Sequence, residues 1–205
     1  MPFNKFPKIK FDSEKYDSFF DYLFEGIKVE RDVVVVSDCD GVLTDSKSIY
    51  SKDGKVFKVY GAYDKEAMKY LESKFDWSFQ FVTVDKKGDG FEITRKRIED
   101  MTGNQYNLSM LNDKERVEHI RKLKKYGKTV VYIGDSISDI PALSEADYAA
   151  CPKNAPKELR AFVDYISELD GGNGAFADII IELAKTIHDA SSDTSSLKQI
   201  KELSS

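Results

Sequence analysis

A chain of 205 residues, 41% of them hydrophobic, is long enough to bury one substantial α/β core and needs no second domain. Its net charge of −5 offers no broad basic surface for duplex nucleic acid, and its two cysteines lack the CxxC or His-rich spacing of a zinc site or disulfide scaffold. No apolar run approaches the roughly 20 residues that span a bilayer and no signal-type hydrophobic region opens the chain, so the expected location is cytoplasmic, with no membrane partner.

In chain order, residues 1–31 form an extension that mixes aromatic and charged residues, with a short helix expected over Asp17–Phe24 and no readable motif. Residues 32–188 form the main domain. It opens on Val33-Val34-Val35-Val36-Ser37-Asp38-Cys39-Asp40-Gly41. A continuous β-branched run reads as a strand buried on both faces, and its polar end should emerge at the carboxyl edge of a parallel sheet, where open α/β sheets place their chemistry. Ala67, Met68, Leu71 and Phe75 repeat at helical spacing, Phe79–Thr83 reads as a strand, and Arg95–Met101 as a helix. Val117, Ile120 and Leu123 mark another helix before the strand Thr129–Ile133, which runs into Gly134-Asp135-Ser136-Ile137-Ser138-Asp139. Short strands follow at Tyr148–Cys151 and Asp164–Ser167, and Phe176, Ile179, Ile180, Leu183 and Ile187 close the domain as an amphipathic helix. Residues 189–205 form a polar tail in which Leu197, Ile200 and Leu203 hint at a weak helix. The pattern predicts an α/β, Rossmann-like parallel sheet with helices on both faces. His119 and His188 read as surface or packing residues, and the Arg95–Arg97 and Arg121–Lys125 runs as solvated helix faces.

Two acidic clusters, each behind a buried strand, have a chemical meaning. Carboxylates gathered without a basic partner repel one another, and the usual resolution is a hard cation held through oxygen. Mg2+ fits, since it takes one or two protein carboxylates and leaves positions for backbone oxygen, water and a phosphate. Asp38 and Asp135 would supply the carboxylates, the Asp40 backbone carbonyl a further oxygen, and Ser136 and Asp139 would support the loop. Asp38 could then attack phosphorus to form an aspartyl-phosphate, with Asp40 serving first as acid and then as base.

These residues resemble a known superfamily. Asp38-x-Asp40-Gly41-Val42-Leu43-Thr44 looks like the first motif of haloacid dehalogenase superfamily phosphatases, and Gly134-Asp135-Ser136-x-x-Asp139 like the fourth. The resemblance implies a phosphate-binding role for Thr83 and, within Asn112-Asp113-Lys114-Glu115, for Lys114. Asp170-Gly171-Gly172-Asn173-Gly174-Ala175 and the Ser48–Tyr60 segment are similar to the 3-deoxy-D-manno-octulosonate 8-phosphate phosphatase subfamily. Two segments depart from that pattern: Tyr60-Gly61-Ala62 stands where members carry Arg-Asp-Gly, and Thr83-Val84-Asp85 where they carry Thr-Gly-Arg. The missing arginine removes a charge that could hold an anionic substrate, with Lys86 or Lys87 as replacements.

Neither the interval after Asp38 nor that after Thr83 has room for a large cap. Asp53-Gly54 between β-rich flanks instead predicts a small hairpin flap. The related family closes its site by packing hairpins in a tetramer, which implies a homotetramer here, with Ile49, Tyr50, Val56 and Phe57 as the apolar area between hairpins. The expected function is a magnesium-dependent phosphomonoesterase acting on a small phosphorylated substrate, a sugar-acid phosphate such as 3-deoxy-D-manno-octulosonate 8-phosphate. The alternatives are a polynucleotide 3′-end phosphatase, which an open site could admit, and a noncatalytic assembly module that keeps the fold.

Overall fold

All six residues of Val33–Asp38 are buried, and this segment is the central strand β1 of a six-stranded sheet. The computed structural model describes residues 12–16, 18–25, 32–85, 88–104 and 107–186. After β1 come a hairpin of β2 (Thr44–Ser51) and β3 (Gly54–Tyr60), helix α2 (Asp64–Phe75), β4 (Ser78–Thr83), α3 (Asp89–Thr102), β5 (Leu108–Met110) and α4 (Asp113–Lys125). The second half adds β6 (Thr129–Ile133), a 3-10 turn at Ile137–Asp139, α5 (Ile140–Glu145), β7 (Tyr148–Cys151), β8 (Tyr165–Ile166) and a closing helix α6 described over 175–186. A short helix, α1 (Phe19–Leu23), lies in the amino-terminal extension.

The sheet order is β5-β4-β1-β6-β7-β8, and every pair is parallel. Side chains alternate across a strand, so the valines of β1 divide between two cores. Val33 and Val35 pack with Phe79, Phe81, Val131 and Ile133 against Met68 and Leu71 of α2, Ile98 of α3 and Ile179 and Ile180 of α6. Val34 and Val36 pack with Val82, Val130 and Tyr132 against Ile120 of α4 and Leu143 of α5. The four-valine run is therefore continuous because both faces are covered. Helices lie on both faces, as the sequence pattern implied.

Several local readings needed correction. Helix α3 begins at Asp89, ahead of the expected Arg95, because the acidic residues Asp89 and Glu92 suit its first turn. The three-residue strand β5 and the short α5 carry too little periodicity to be read in advance. Within the extension, Phe20 and Phe24 stack on Tyr70 with ring centroids 5.1 and 5.5 Å away, and Lys74 pairs with Asp21 at 2.9 Å. That segment docks on α2. The helix hinted at within 189–205 and residue His188 lie outside the described residues. Among the described residues no helix is long and apolar enough to cross a membrane.

Candidate active site

Parallel strands deliver their loops to one edge, and the strand order reverses between β1 and β6, the switch point at which open α/β sheets place their sites. Asp38 ends β1 in register with Val82, Thr83 ends β4, and Asp135 follows β6. Three loops meet.

The turn after β1 is built from backbone bonds. Leu43 N donates to Cys39 O at 3.0 Å, and Gly41, at φ +100°, donates to Thr44 Oγ1 at 3.1 Å. A Cβ at Gly41 would lie 1.8 Å from Asp135 Oδ2, so glycine is what lets the Asp135 carboxylate reach the backbone beside Asp40. The Asp170–Ala175 segment braces this turn from behind. Gly172 N donates to Val42 O at 3.0 Å, and a Cβ at Gly171 would stand 1.8 Å from Gly41 O.

Carboxylate oxygens of Asp38, Asp135 and Asp139 lie within 4.8 Å of one another. Their bonding separates their roles. Asp139 is saturated: Oδ1 accepts from Arg116 and, at 2.7 Å, from Tyr132 Oη, while Oδ2 accepts from Ser136 N at 3.0 Å and Ser136 Oγ at 2.7 Å. Asp38 Oδ1 accepts from Arg116 Nη2 at 2.9 Å. Among the described residues, Asp135 accepts a long bond from Ser46 Oγ at 3.2 Å on Oδ2, and its buried Oδ1 has no partner. An orphaned buried carboxylate oxygen is costly unless something positive meets it. Burial and the charge of Asp139 push the carboxyls of Asp38 and Asp135 up, that of Asp135 to about 6. Asp38 and Asp139 share the one guanidinium, Asp135 has no cation partner among the described residues, and the oxygen donors of Asp38 and Asp135 suit a hard divalent cation.

Arg116 was not anticipated. It is 2% exposed, and burial disfavours its charge, but the surrounding Asp38, Tyr132 and Asp139 more than offset that and hold its pKa above the ordinary value. The signal was present: Arg116 lies on the same stripe of α4 as Ile120 and Leu123, a charge at an apolar register. Lys114 stays exposed on the first turn of α4 and has no ion pair among the described residues. That turn nonetheless abuts the site, since Leu111 N donates to Thr83 O at 3.1 Å and Arg116 Nε to Leu111 O at 3.2 Å. Thr83 is buried, and its hydroxyl accepts from Asp85 N at 3.1 Å. Half-buried His119 lies 2.6 Å from Gln80 Oε1, in a packing role.

Asp40 faces the hairpin. Its Oδ2 accepts from Lys58 Nζ at 2.8 Å, and Lys55 Nζ approaches the same oxygen at 3.5 Å. Both lysines also bind Asp85, the residue standing where the subfamily pattern has arginine. Burial opposes ionisation of Asp85, but hydrogen bonds from Lys55 and Lys58 override it and hold the carboxyl below its ordinary value.

The sequence pattern of the haloacid dehalogenase-like hydrolases matches residues 35–180. The 3-deoxy-D-manno-octulosonate 8-phosphate phosphatase of Haemophilus influenzae is 29% identical over 155 residues, covering 74% of this chain and 82% of that protein. The cobalt-bound structure of that Haemophilus phosphatase superposes with a TM-score of 0.66 at 26% identity, covering 80% of this chain and 93% of the other. The structure of the Moraxella catarrhalis phosphatase, in complex with magnesium, phosphate and KDO, shares the fold at a TM-score of 0.59 and 23% identity, covering 85% of this chain and 98% of the other. This chain belongs to the haloacid dehalogenase-like hydrolases, and within them it resembles the 3-deoxy-D-manno-octulosonate 8-phosphate phosphatases.

Proposed function

We propose that the protein is a magnesium-dependent phosphomonoesterase that works through an aspartyl-phosphate, with 3-deoxy-D-manno-octulosonate 8-phosphate as the leading substrate. The observation that carries this reading is the convergence of Asp38 and Asp135, with a buried oxygen on Asp135 that has no partner among the described residues, beside Arg116 and Thr83. The named substrate of the Haemophilus relative supports the sugar-acid assignment. Magnesium, when bound, supplies the positive charge that screens the carboxylates from an incoming phosphate. Asp38, Asp135 and the Asp40 carbonyl would hold it, while Asp139, already saturated, fixes Arg116, Tyr132 and Ser136 around them. Asp38 attacks phosphorus through the oxygen that Arg116 leaves free, and Asp40 gives a proton to the departing alcohol. Asp40 then takes a proton from the water that opens the aspartyl-phosphate. Thr83 and Lys114 bind phosphoryl oxygens, Lys114 by swinging in from its exposed turn.

A panel of sugar phosphates and 3′-phosphorylated oligonucleotides, assayed with magnesium and with chelator, tests this directly. Sugar-acid phosphates should be turned over best and chelator should silence the enzyme. Preference for oligonucleotide ends would move the substrate to the polynucleotide class, and silence throughout would favour an assembly module.

The two cations beside the site should separate cleanly. Lys114→Ala should lower kcat/KM about 10- to 100-fold and shift stability by less than about 0.5 kcal/mol, as expected for an exposed side chain. Arg116→Ala should cost about 3–5 kcal/mol, because it leaves Asp139 buried without its charge partner. Urea unfolding beside steady-state kinetics reads both, and equal stability losses would contradict the division.

We propose further that hairpins pair in a homotetramer. Ile49, Tyr50, Phe57 and Val59 are 59–64% exposed on the hairpin, an apolar surface that a monomer leaves wet. Val56, counted with this area from the sequence, is half-buried, because it is Phe57 and Val59 of β3 that face outward. Phe57→Glu with Val59→Glu should therefore reduce the mass in light scattering to that of a smaller species. A wild-type monomer with full activity would remove the tetramer.

A further inference from the structure

The side chain of Lys58 has no exposed surface, and each of its three ammonium hydrogens has its own acceptor: Asp40 Oδ2 at 2.8 Å, Asp85 Oδ2 at 2.7 Å and Thr94 Oγ1 at 2.7 Å. Such an ammonium has no rotational freedom left. Its acceptors are themselves held. Asp85 binds Lys55 at 2.7 Å, its backbone N–H donates to Thr83 Oγ1, and Thr94 accepts from Tyr60 Oη at 3.1 Å while donating to Gly90 O at 3.2 Å. Lys55 also approaches Asp40 through Oδ2, so both cations converge on one oxygen, and Oδ1 is left uncommitted among the described residues.

We propose that Lys58 is the positioning residue for Asp40: through Oδ2 it locks the carboxyl so that Oδ1 meets the ester oxygen of the substrate. The assignment rests on the reading of Asp40 as acid and base. Asp85 is what makes the device possible here. An arginine at that position would repel Lys58, whereas the carboxylate gives the hairpin lysines a shared anchor beside Thr83. The proton itself moves as before: as the ester P–O bond breaks and the Asp38 Oδ–P bond forms, Asp40 Oδ1–H passes its proton to the leaving oxygen. Lys58 neither gains nor loses a proton.

A tie that only docks the hairpin would affect every substrate alike, whereas one that positions the acid matters where the leaving group needs a proton. The quantity to measure is kcat/KM, which reports the steps up to loss of the leaving group, for p-nitrophenyl phosphate and for the best alkyl ester of a sugar-phosphate panel. Lys58→Met should lose about 100-fold or more on the alkyl ester and less than about 5-fold on the p-nitrophenyl ester, whose leaving group departs without help. Lys55→Met cuts the 2.7 Å tie to Asp85 but only a 3.5 Å approach to Asp40, so it should shift the alkyl-to-aryl ratio less than about 3-fold. Should Lys58→Met fail to fold, Thr94→Val removes one acceptor and keeps both ion pairs, and it should shift the alkyl-to-aryl ratio about 3- to 10-fold. Wild-type turnover with equal losses on both esters, in Lys58→Met or in folded Thr94→Val, would overturn the positioning role alone. A wild-type enzyme silent on both esters would overturn the phosphatase reading and this assignment with it.

Discussion

Asp38→Asn is expected to lower phosphate release by at least about 10^4-fold with the fold intact, because the amide keeps the shape of the side chain but cannot form the phosphoenzyme. Asp38 is 8% exposed at the end of the central strand, its Oδ1 is taken by Arg116, and burial together with Asp139 opposes its charge. Asparagine still presents a carbonyl oxygen to Arg116 and removes one of three clustered negative charges, so the mutant should unfold in urea no earlier than wild type by more than about 1 kcal/mol. Near-wild-type turnover in the folded mutant would take the nucleophile away from Asp38.

The second large effect should come from a residue with no functional group. Gly41→Ala forces an alanine to φ +100° and places a methyl group 1.8 Å from Asp135 Oδ2 and 2.1 Å from its Cγ, so the carboxylate has to leave its position. Magnesium affinity should weaken about 10- to 100-fold in a calorimetric titration, and turnover should fall by at least the same factor. Gly103→Ala is the control. It carries a comparable strain at φ +76°, but its Cβ meets nothing within 4 Å, so it should lose about 1 kcal/mol and retain the metal affinity of wild type. Unaltered magnesium binding in Gly41→Ala would contradict the placement of Asp135 as a ligand.

What could be read from the chain alone was whatever local strings encode. β1 and β6 are short buried runs with their acidic ends attached, so Asp38, Asp40 and Asp135 came with their strands, and parallel topology brought them to one edge. The Gly171-Gly172 pair was recognisable as a pattern, but its reason is steric: it presses on the backbone of Gly41 and Thr44. Long-range pairings were invisible. Arg116 is separated from Asp38 by 78 positions, and its register on α4 was the sole hint. Lys58 meets Asp85 across 27 positions, which turns a departure from the subfamily pattern into an ion pair that sequence spacing could not reveal. Lys114 matched a motif, yet a motif fixes a position on a helix and leaves the direction of a long side chain open.

The aspartyl-phosphate itself gives the most direct test. Enzyme mixed with magnesium and a turned-over phosphate ester, quenched in acid within the first turnover and digested, should yield the peptide containing Asp38 heavier by one phosphoryl group, while Asp38→Asn yields none. An active wild-type enzyme that shows no phosphorylated peptide at any quench time, or that carries the phosphoryl group on another residue, would contradict the account.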